Sequence, residues 1–263
     1  MGMRSYLFSL TFTALFFSSA ATAEPIKLCY EDVVVFPWIT GDKQGLALSE
    51  MIYIEKKLNI RFKYVRLPWK RCMLEAQSGK VDALIAASFT SERTKWGVYP
   101  TKNNGQLDTS LKLHSDSYIV YVRNDSTIRW EDGKFINLGS NQVGVQLGYS
   151  VGNDLQEAGY PVYSTSSTAA ELLEALQKKV VNVAVLQHMP SIKTLNEKPA
   201  LGKGISAMPQ PFKEMDQYLL FTKTFYAHNK DLTHKIWNTI PQARESGEYQ
   251  KLKKTLLGSP KID

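Results

Sequence analysis

The sequence predicts an α/β protein built on a doubly wound parallel sheet, and three observations carry that prediction. Short apolar runs alternate with amphipathic helical runs from Ile26 to Ser88, as strand-helix-strand units require. The same alternation returns after Tyr118. Two of the strand-like runs end in small polar or glycine turns, Ser88–Arg93 and Gly148–Ser150. That is the carboxyl end of a strand, where open α/β sheets hold their ligands.

In chain order, "IKLCY" (Ile26 to Tyr30) reads as a strand, and "GLALSEMIYIEKKLNI" as a helix with Leu46, Ile52, Ile54 and Leu58 on its apolar side. "IRFKYVRL" alternates as a second strand. "PWKRCMLEAQSGK" opens on Pro68, compatible with a helix start, and stops at Gly79. "VDALIAAS" is a third, buried strand. Residues 101–117 are polar and less regular, and "YIVYV" (Tyr118 to Val122) is a strong strand. A turn-rich stretch covers residues 124–141. "QVGVQL" and "GYSVGNDLQEAG" repeat strand, glycine turn and helix. "STSSTAAELLEALQKKV" offers several N-caps before an amphipathic helix, and "VNVAVLQ" is another buried strand. "YLLFTK" reads as a returning strand, followed by helices around "DLTHKIWNTIPQARESG" and "EYQKLKKTLLG".

The amino terminus has a different logic. Arg4 precedes a mostly apolar run from Tyr6 to Phe17, and Ala21-Thr22-Ala23 has the small-x-small form of a cleavage site. This reads as a secretory signal peptide over residues 1–23, cut before Glu24. Its apolar core is short for a membrane span, no later stretch approaches one, and no cysteine stands at the cleavage site to take a lipid. The expectation is a soluble exported protein. In an oxidising compartment Cys29 and Cys72 read as a disulfide, because the helix after the second strand crosses back over the first. The alternative is two buried free thiols.

The net charge is +7 and the pI about 9.2, but the lysines and arginines are spread along the chain, as on a solvated surface. No nucleic-acid motif is present, and the four histidines lack metal-ligand spacing; no metal or cofactor is expected. On residue chemistry alone Arg93 is either a solvated side chain or the fork of an anion clamp. Ser88 and Thr90 either cap the following turn or add donors around the same anion. Gly148-Tyr149-Ser150 opens a helix, whose N-terminal N–H groups favour an anion.

"GKVDALIAASFTSER", "VGVQLGYS", "VNVAVLQ" and "IPQARESGEYQKLKKTLLG", taken in order, resemble the bacterial periplasmic solute-binding proteins of the polar amino acid uptake family (extracellular solute-binding protein family 3). The resemblance covers nearly all of the mature chain. It implies a type II periplasmic binding fold: lobe I from 24–117 plus 214–263, lobe II from 118–213, two hinge crossings, and a ligand in the cleft between them. It implies a periplasmic monomer that captures a small carboxylate-bearing, amino-acid-like solute and hands it to an ABC permease. Arg93 matches the family's arginine for the ligand α-carboxylate, and Ser150 its second-lobe carboxylate contact. Trp69 aligns with the aromatic that packs on the ligand, and Phe36 and Trp38 fall where another aromatic wall stands. Glu31 and Asp32 read a basic ligand group or are solvated loop carboxylates, and Arg71 is a further anion contact.

One departure stands out. Where the family ends its second-lobe strand with an aspartate for the ligand ammonium, this chain has Gln187, followed by His188. Glutamine accepts a hydrogen bond but brings no charge, which leaves a carboxylate without the amine as an alternative ligand. Two other classes remain open. One is a cleft enzyme of dehydratase or lyase type, with His188 or Glu31 as its acid or base. The other is a ligand-presenting component of a sensor.

Overall fold

The computed structural model describes residues 24–258. The signal peptide read over residues 1–23 lies outside the described residues. The strands are β1 (Ile26–Glu31), β2 (Phe62–Leu67), β3 (Ala83–Ser88), β4 (Gly97–Val98), β5 (His114–Arg123), β6 (Arg129–Glu131), β7 (Lys134–Ile136), β8 (Val143–Gln146), β9 (Val162–Ser166), β10 (Val183–Gln187), β11 (Ile205–Ala207) and β12 (Lys213–Thr222). The helices are α1 (Leu46–Leu58), α2 (Trp69–Gln77), α3 (Ser150–Glu157), α4 (Ala169–Gln177), α5 (His188–Glu197), α6 (Lys223–His228), α7 (Lys230–Glu245) and α8 (Gly247–Leu257).

The main sheet runs β2-β1-β3-β12-β5-β10-β8-β9. β1 pairs parallel with β2 and β3, and β8 pairs parallel with β9 and β10. Each trio therefore has the same order, second-first-third, flanked by one antiparallel strand: β12 beside β3, β5 beside β10. The two long strands join the trios by pairing with each other over Lys213–Gln217 and His114–Tyr118. The expected doubly wound halves are thus linked into one continuous sheet by crossing strands. The boundaries expected at 117/118 and 213/214 fall inside those strands.

Local sequence explains most elements. α1 ends on Asn59 in the left-handed conformation, with Lys56 and Lys57 in its last turn favouring the negative pole. α4 carries a full capping box between Thr168 and Glu171. β10 reads "VAVLQ" and is buried throughout, as a strand covered on both faces must be. One apolar cluster, including Leu84, Tyr118, Val145, Val185 and Tyr218, runs through both trios; others lie beneath α1 and α7, and beneath α4.

The unexpected elements are polar ones. β5 begins at His114, inside the stretch read as irregular, and β12 begins at Lys213, before its apolar run. "HSDS" and "KEMDQ" lack an apolar run because part of their face turns toward a cavity. α5 begins "HMP", and its proline sits in the first turn, where the missing N–H costs nothing. The turn-rich stretch holds the small hairpin β6–β7, closed by Trp130 against Phe135.

Cys29 of β1 and Cys72 of α2 form a disulfide, with Cα atoms 5.6 Å apart. It closes a loop of sequence separation 43 and pins α2, which carries Trp69, onto the sheet. A loop of that length restrains the unfolded chain by about 4 kcal/mol in the chain-entropy account. Replacing both cysteines by alanine is expected to lower unfolding stability in urea by about 2–4 kcal/mol. A midpoint unchanged from wild type would remove the bridge from the stability of the fold.

Candidate functional site

Between the two trios lies a small cavity. Its walls are Glu31, Val35, Trp38, Ile39, Trp69, Ile85, Ala86, Ser88 and Arg93 on the β1 side, and Tyr149, Ser150 and Gln187 on the β8 side. His114, Tyr118 and Gln217, from the crossing strands, form its floor. The neighbours Ile85 and Ala86 both reach it, which strict alternation along a strand forbids. Ala86 has a left-handed φ of 63°, and the β3–β12 register shifts between Tyr218 and Leu220. The irregularity turns two successive residues of β3 onto one wall.

Arg93 opens a single 3₁₀ turn just beyond β3, and Thr90 Oγ1 accepts its backbone N–H. The side chain folds back under the strand end and is 5 % exposed. Nη1 donates to Ser88 O (2.7 Å) and Ser88 Oγ (3.2 Å), and Nη2 donates to Gly148 O (3.2 Å). The guanidinium also lies 5.4 Å from the Trp69 ring centroid. Every hydrogen-bond partner named for it is neutral, and no carboxylate pairs with it among the described residues. A buried cation in that state is an unbalanced charge facing a cavity.

The two trios touch at this point. Ser88 Oγ donates to Ser150 Oγ (2.8 Å), and Trp69 Nε1 donates to Gly148 O (3.1 Å). Tyr149 Oη donates to Glu31 Oε2 (2.7 Å). Gly148 has φ +79°, and a Cβ there would meet Met73 Cε at 2.8 Å. The left-handed φ is what favours glycine here, since the Met73 methyl is the end of a flexible side chain. No side chain caps α3, whose first residue is Ser150.

Glu31 is buried, and its carboxyl is pushed up to about 8, chiefly by desolvation. The Tyr149 hydroxyl opposes that shift, and the Asp32 charge adds to it. His114 is lowered to about 3 by burial and by the charge of Arg244, and it stacks on Trp38 with centroids 3.7 Å apart. Asp116, on the same face of β5, is raised to about 6 by burial, against the backbone N–H of Ser117. His114 Nδ1, Gln187 Oε1 and Gln217 Oε1 are buried without a hydrogen-bond partner. Each such atom costs about 1–3 kcal/mol if it stays unpaired, so a bound molecule that donates to the two amide oxygens, or pairs with the imidazole nitrogen, gains correspondingly.

Eight of the residues singled out in the sequence line this cavity: Glu31, Trp38, Trp69, Ser88, Arg93, Tyr149, Ser150 and Gln187. Gly148 supports it from behind through its carbonyl. Five do not line it: Asp32 faces a smaller adjoining space, and four others stand elsewhere. Arg71 is exposed and pairs with Glu75 one turn on, because its helix face looks outward; it is not an anion contact of this cavity. Thr90 serves as the turn cap. Phe36 sits beneath the Lys193 ammonium, 5.1 Å from its centroid. His188 is half-buried at the start of α5, where its carbonyl accepts from Ser191. The floor residues His114, Tyr118 and Gln217 escaped the sequence reading. The signal was there in the period-two spacing of His114, Asp116 and Tyr118. Among the described residues, no cluster of His, Cys, Asp and Glu could hold a metal ion.

A model of the family described as bacterial extracellular solute-binding proteins, family 3, matches residues 36–259. No curated protein sequence matches the chain. Among solved structures, a histidine kinase sensor domain with similarity to periplasmic binding proteins superposes with TM-score 0.72 at 16% identity, covering 90% of this chain and 97% of that one. The arginine-, lysine-, histidine-binding protein ArtJ from Geobacillus stearothermophilus gives 0.69 at 16% identity, covering 91% and 98%. An ancestral amino acid-binding protein, AncCDT-1, a precursor of cyclohexadienyl dehydratase, gives 0.65 at 15% identity, covering 88% and 94%. The shared architecture is the type II periplasmic binding fold.

The state of Glu31 has a measurable consequence. The folded protein keeps this proton to about pH 8, whereas the unfolded chain loses it near 4.5. Its contribution is fully present below 4.5 and is lost as pH rises to 8, by at most about 1.4 kcal/mol per pH unit. In urea unfolding, Glu31→Gln is therefore expected to gain on wild type steadily between pH 5 and pH 8. Parallel stability curves for the two proteins would show that Glu31 ionises normally in the fold.

Proposed function

Because the chain belongs to the bacterial extracellular solute-binding proteins, family 3, we propose that it captures a small carboxylate-bearing, amino-acid-like solute and delivers it to an ABC permease. In this reading the β1 and β8 trios are two lobes that close on the ligand, the cavity is its seat, and the protein works as a monomer in the periplasm. One observation carries the ligand class. Arg93 is a buried guanidinium at the cavity wall, and its hydrogen bonds go only to neutral acceptors. A carboxylate entering the cavity supplies the missing charge and takes the fork with two parallel hydrogen bonds. Ser150 and the uncapped first turn of α3 add donors on the opposite wall.

The enzyme reading loses one of its two candidate groups, because His188 stands off the cavity wall. The likeness to a sensor domain favours a second use of the same binding event, presentation of the liganded protein to a separate receptor.

A thermal-shift screen of the purified protein with amino acids, dipeptides and simple carboxylates tests this. Ligand at a thousand times its Kd is expected to add about 4 kcal/mol of stability, a clear rise in Tm. Arg93→Ala is expected to weaken that ligand about 30-fold or more, since it deletes one partner of a buried charge pair. A ligand that binds the variant as tightly as wild type would remove Arg93, and with it the carboxylate, from the recognition.

A further inference from the structure

The reading above leaves one half of an amino acid unexplained. In that reading Arg93 takes the carboxylate, but on the β8 side the cavity offers for an amine only Gln187, whose buried Oε1 is unpaired and uncharged. The cavity nevertheless contains one carboxyl group. Glu31 lines it from the carboxyl end of β1, is itself buried, and takes its only named hydrogen bond from Tyr149 across the cleft. No cation pairs with it among the described residues.

We propose that Glu31, from the β1 side of the cleft, is the anionic partner of the ligand's α-ammonium group, and that Gln187 Oε1 and Gln217 Oε1 complete the set of acceptors around it. This rests on the proposed binding of an amino-acid-like solute and adds to it the source of the second charge. The cavity then offers a fixed cation at Arg93 and a carboxyl at Glu31, with neutral acceptors on the β8 side and the floor. That pattern matches a zwitterion rather than a bare carboxylate.

The surroundings of Glu31 decide its state. Asp32 stands next to it on the same strand end, and Tyr149 donates to it from the start of α3. Tyr118 and the neutral His114 share the cavity from β5. Lys70 of α2 lines, together with Glu31 and Asp32, a smaller adjoining space. None of these gives the carboxylate a close positive partner, and burial keeps its proton on at neutral pH. When the ammonium docks, the Glu31 O–H proton leaves to buffer and the carboxylate pairs with the unchanged R–NH₃⁺. One proton is released per ligand bound, and charge balances.

Calorimetric titration of the intact protein tests this directly. The probes are the protein L-amino acids, each beside the carboxylic acid of the same skeleton lacking the amino group, at pH 7 in phosphate and in Tris. The expected result is an amino acid whose heats in the two buffers report release of about one proton. Its affinity should rise about tenfold per pH unit from pH 5 to 7 and level off near 8. Glu31→Gln should weaken it about 30-fold or more and abolish the buffer dependence. An amino acid that binds wild type without proton release, or binds Glu31→Gln equally well, overturns the assignment. Binding of only the amine-free carboxylates overturns it while leaving the Arg93 clamp intact. Silence across both sets overturns the clamp as well.

Discussion

A buried guanidinium with no carboxylate beside it organises the centre of this molecule. Arg93 is one residue in a 3₁₀ turn, yet it ties together elements far apart in sequence: Ser88 at the end of β3 and Gly148 at the mouth of α3. The Gly148 carbonyl also accepts from the Trp69 indole of α2. Hydrogen bonds to neutral carbonyls and a hydroxyl satisfy its donors but not its charge. In a desolvated site the remaining imbalance is large compared with a typical hydrogen bond. The fold tolerates it because the disulfide holds α2 in place, the left-handed Gly148 brings its carbonyl close, and the cavity leaves room for an anion.

The acidic side of the cavity is built in the opposite way. Glu31 is buried at the cavity without a base, and desolvation raises it beyond neutrality; Asp116, on the same face of β5 as His114 but off the cavity wall, is raised only to about 6. His114, buried beside them, is pushed down and carries no charge. At neutral pH the cavity therefore holds one full positive charge and several polar groups that are neutral or partly so. Such an arrangement recognises a molecule by completing it. In the proposed function the anion of the ligand neutralises Arg93, and its donors meet atoms that the protein itself leaves unpaired.

The legibility of this arrangement in the sequence follows physical lines. Buried strands and amphipathic helices announce themselves by apolar periodicity, so β1, β2, β3, β8 and β10 and their helices were readable, and so was the pairing of Cys29 with Cys72. Residues just past strand ends stand out as well, but Ser88 and Arg93 read equally as a cap and a solvated side chain there, and it is the family resemblance that marks Arg93 and Ser150 as ligand contacts. What escaped was the cavity floor. "HSDS" and the start of β12 are polar because they face the cavity, and polarity is the cue by which loops are recognised. Arg71 misled for the opposite reason. Its distance from Trp69 in sequence suggested a shared site, but two residues on a helix differ by about 200° and point apart. Glu31 was visible as a candidate, but its burial was not, since burial comes from Tyr149, 118 positions away.

The origin of each cavity residue assigns it a different part in recognition. The floor comes from β5 and β12, which pair directly with each other where His114, Tyr118 and Gln217 sit. If the trios part to admit ligand, that ladder stays nearly fixed, so the floor is present before closure and sorts ligands by shape and donors. The walls differ. In the proposed opening, the contacts of Arg93, Ser88 and Trp69 with Gly148 and Ser150, and of Glu31 with Tyr149, are the ones that part. These contacts are few and mostly neutral, each worth about 1 kcal/mol net. Alone they favour closure only modestly, against the cost of burying Arg93 and Glu31 without partners. A ligand that supplies both partners reverses that balance. In the proposed function closure then becomes a consequence of correct charge pairing: a solute without an anion leaves Arg93 unbalanced, and one without an ammonium leaves Glu31 protonated and without its partner.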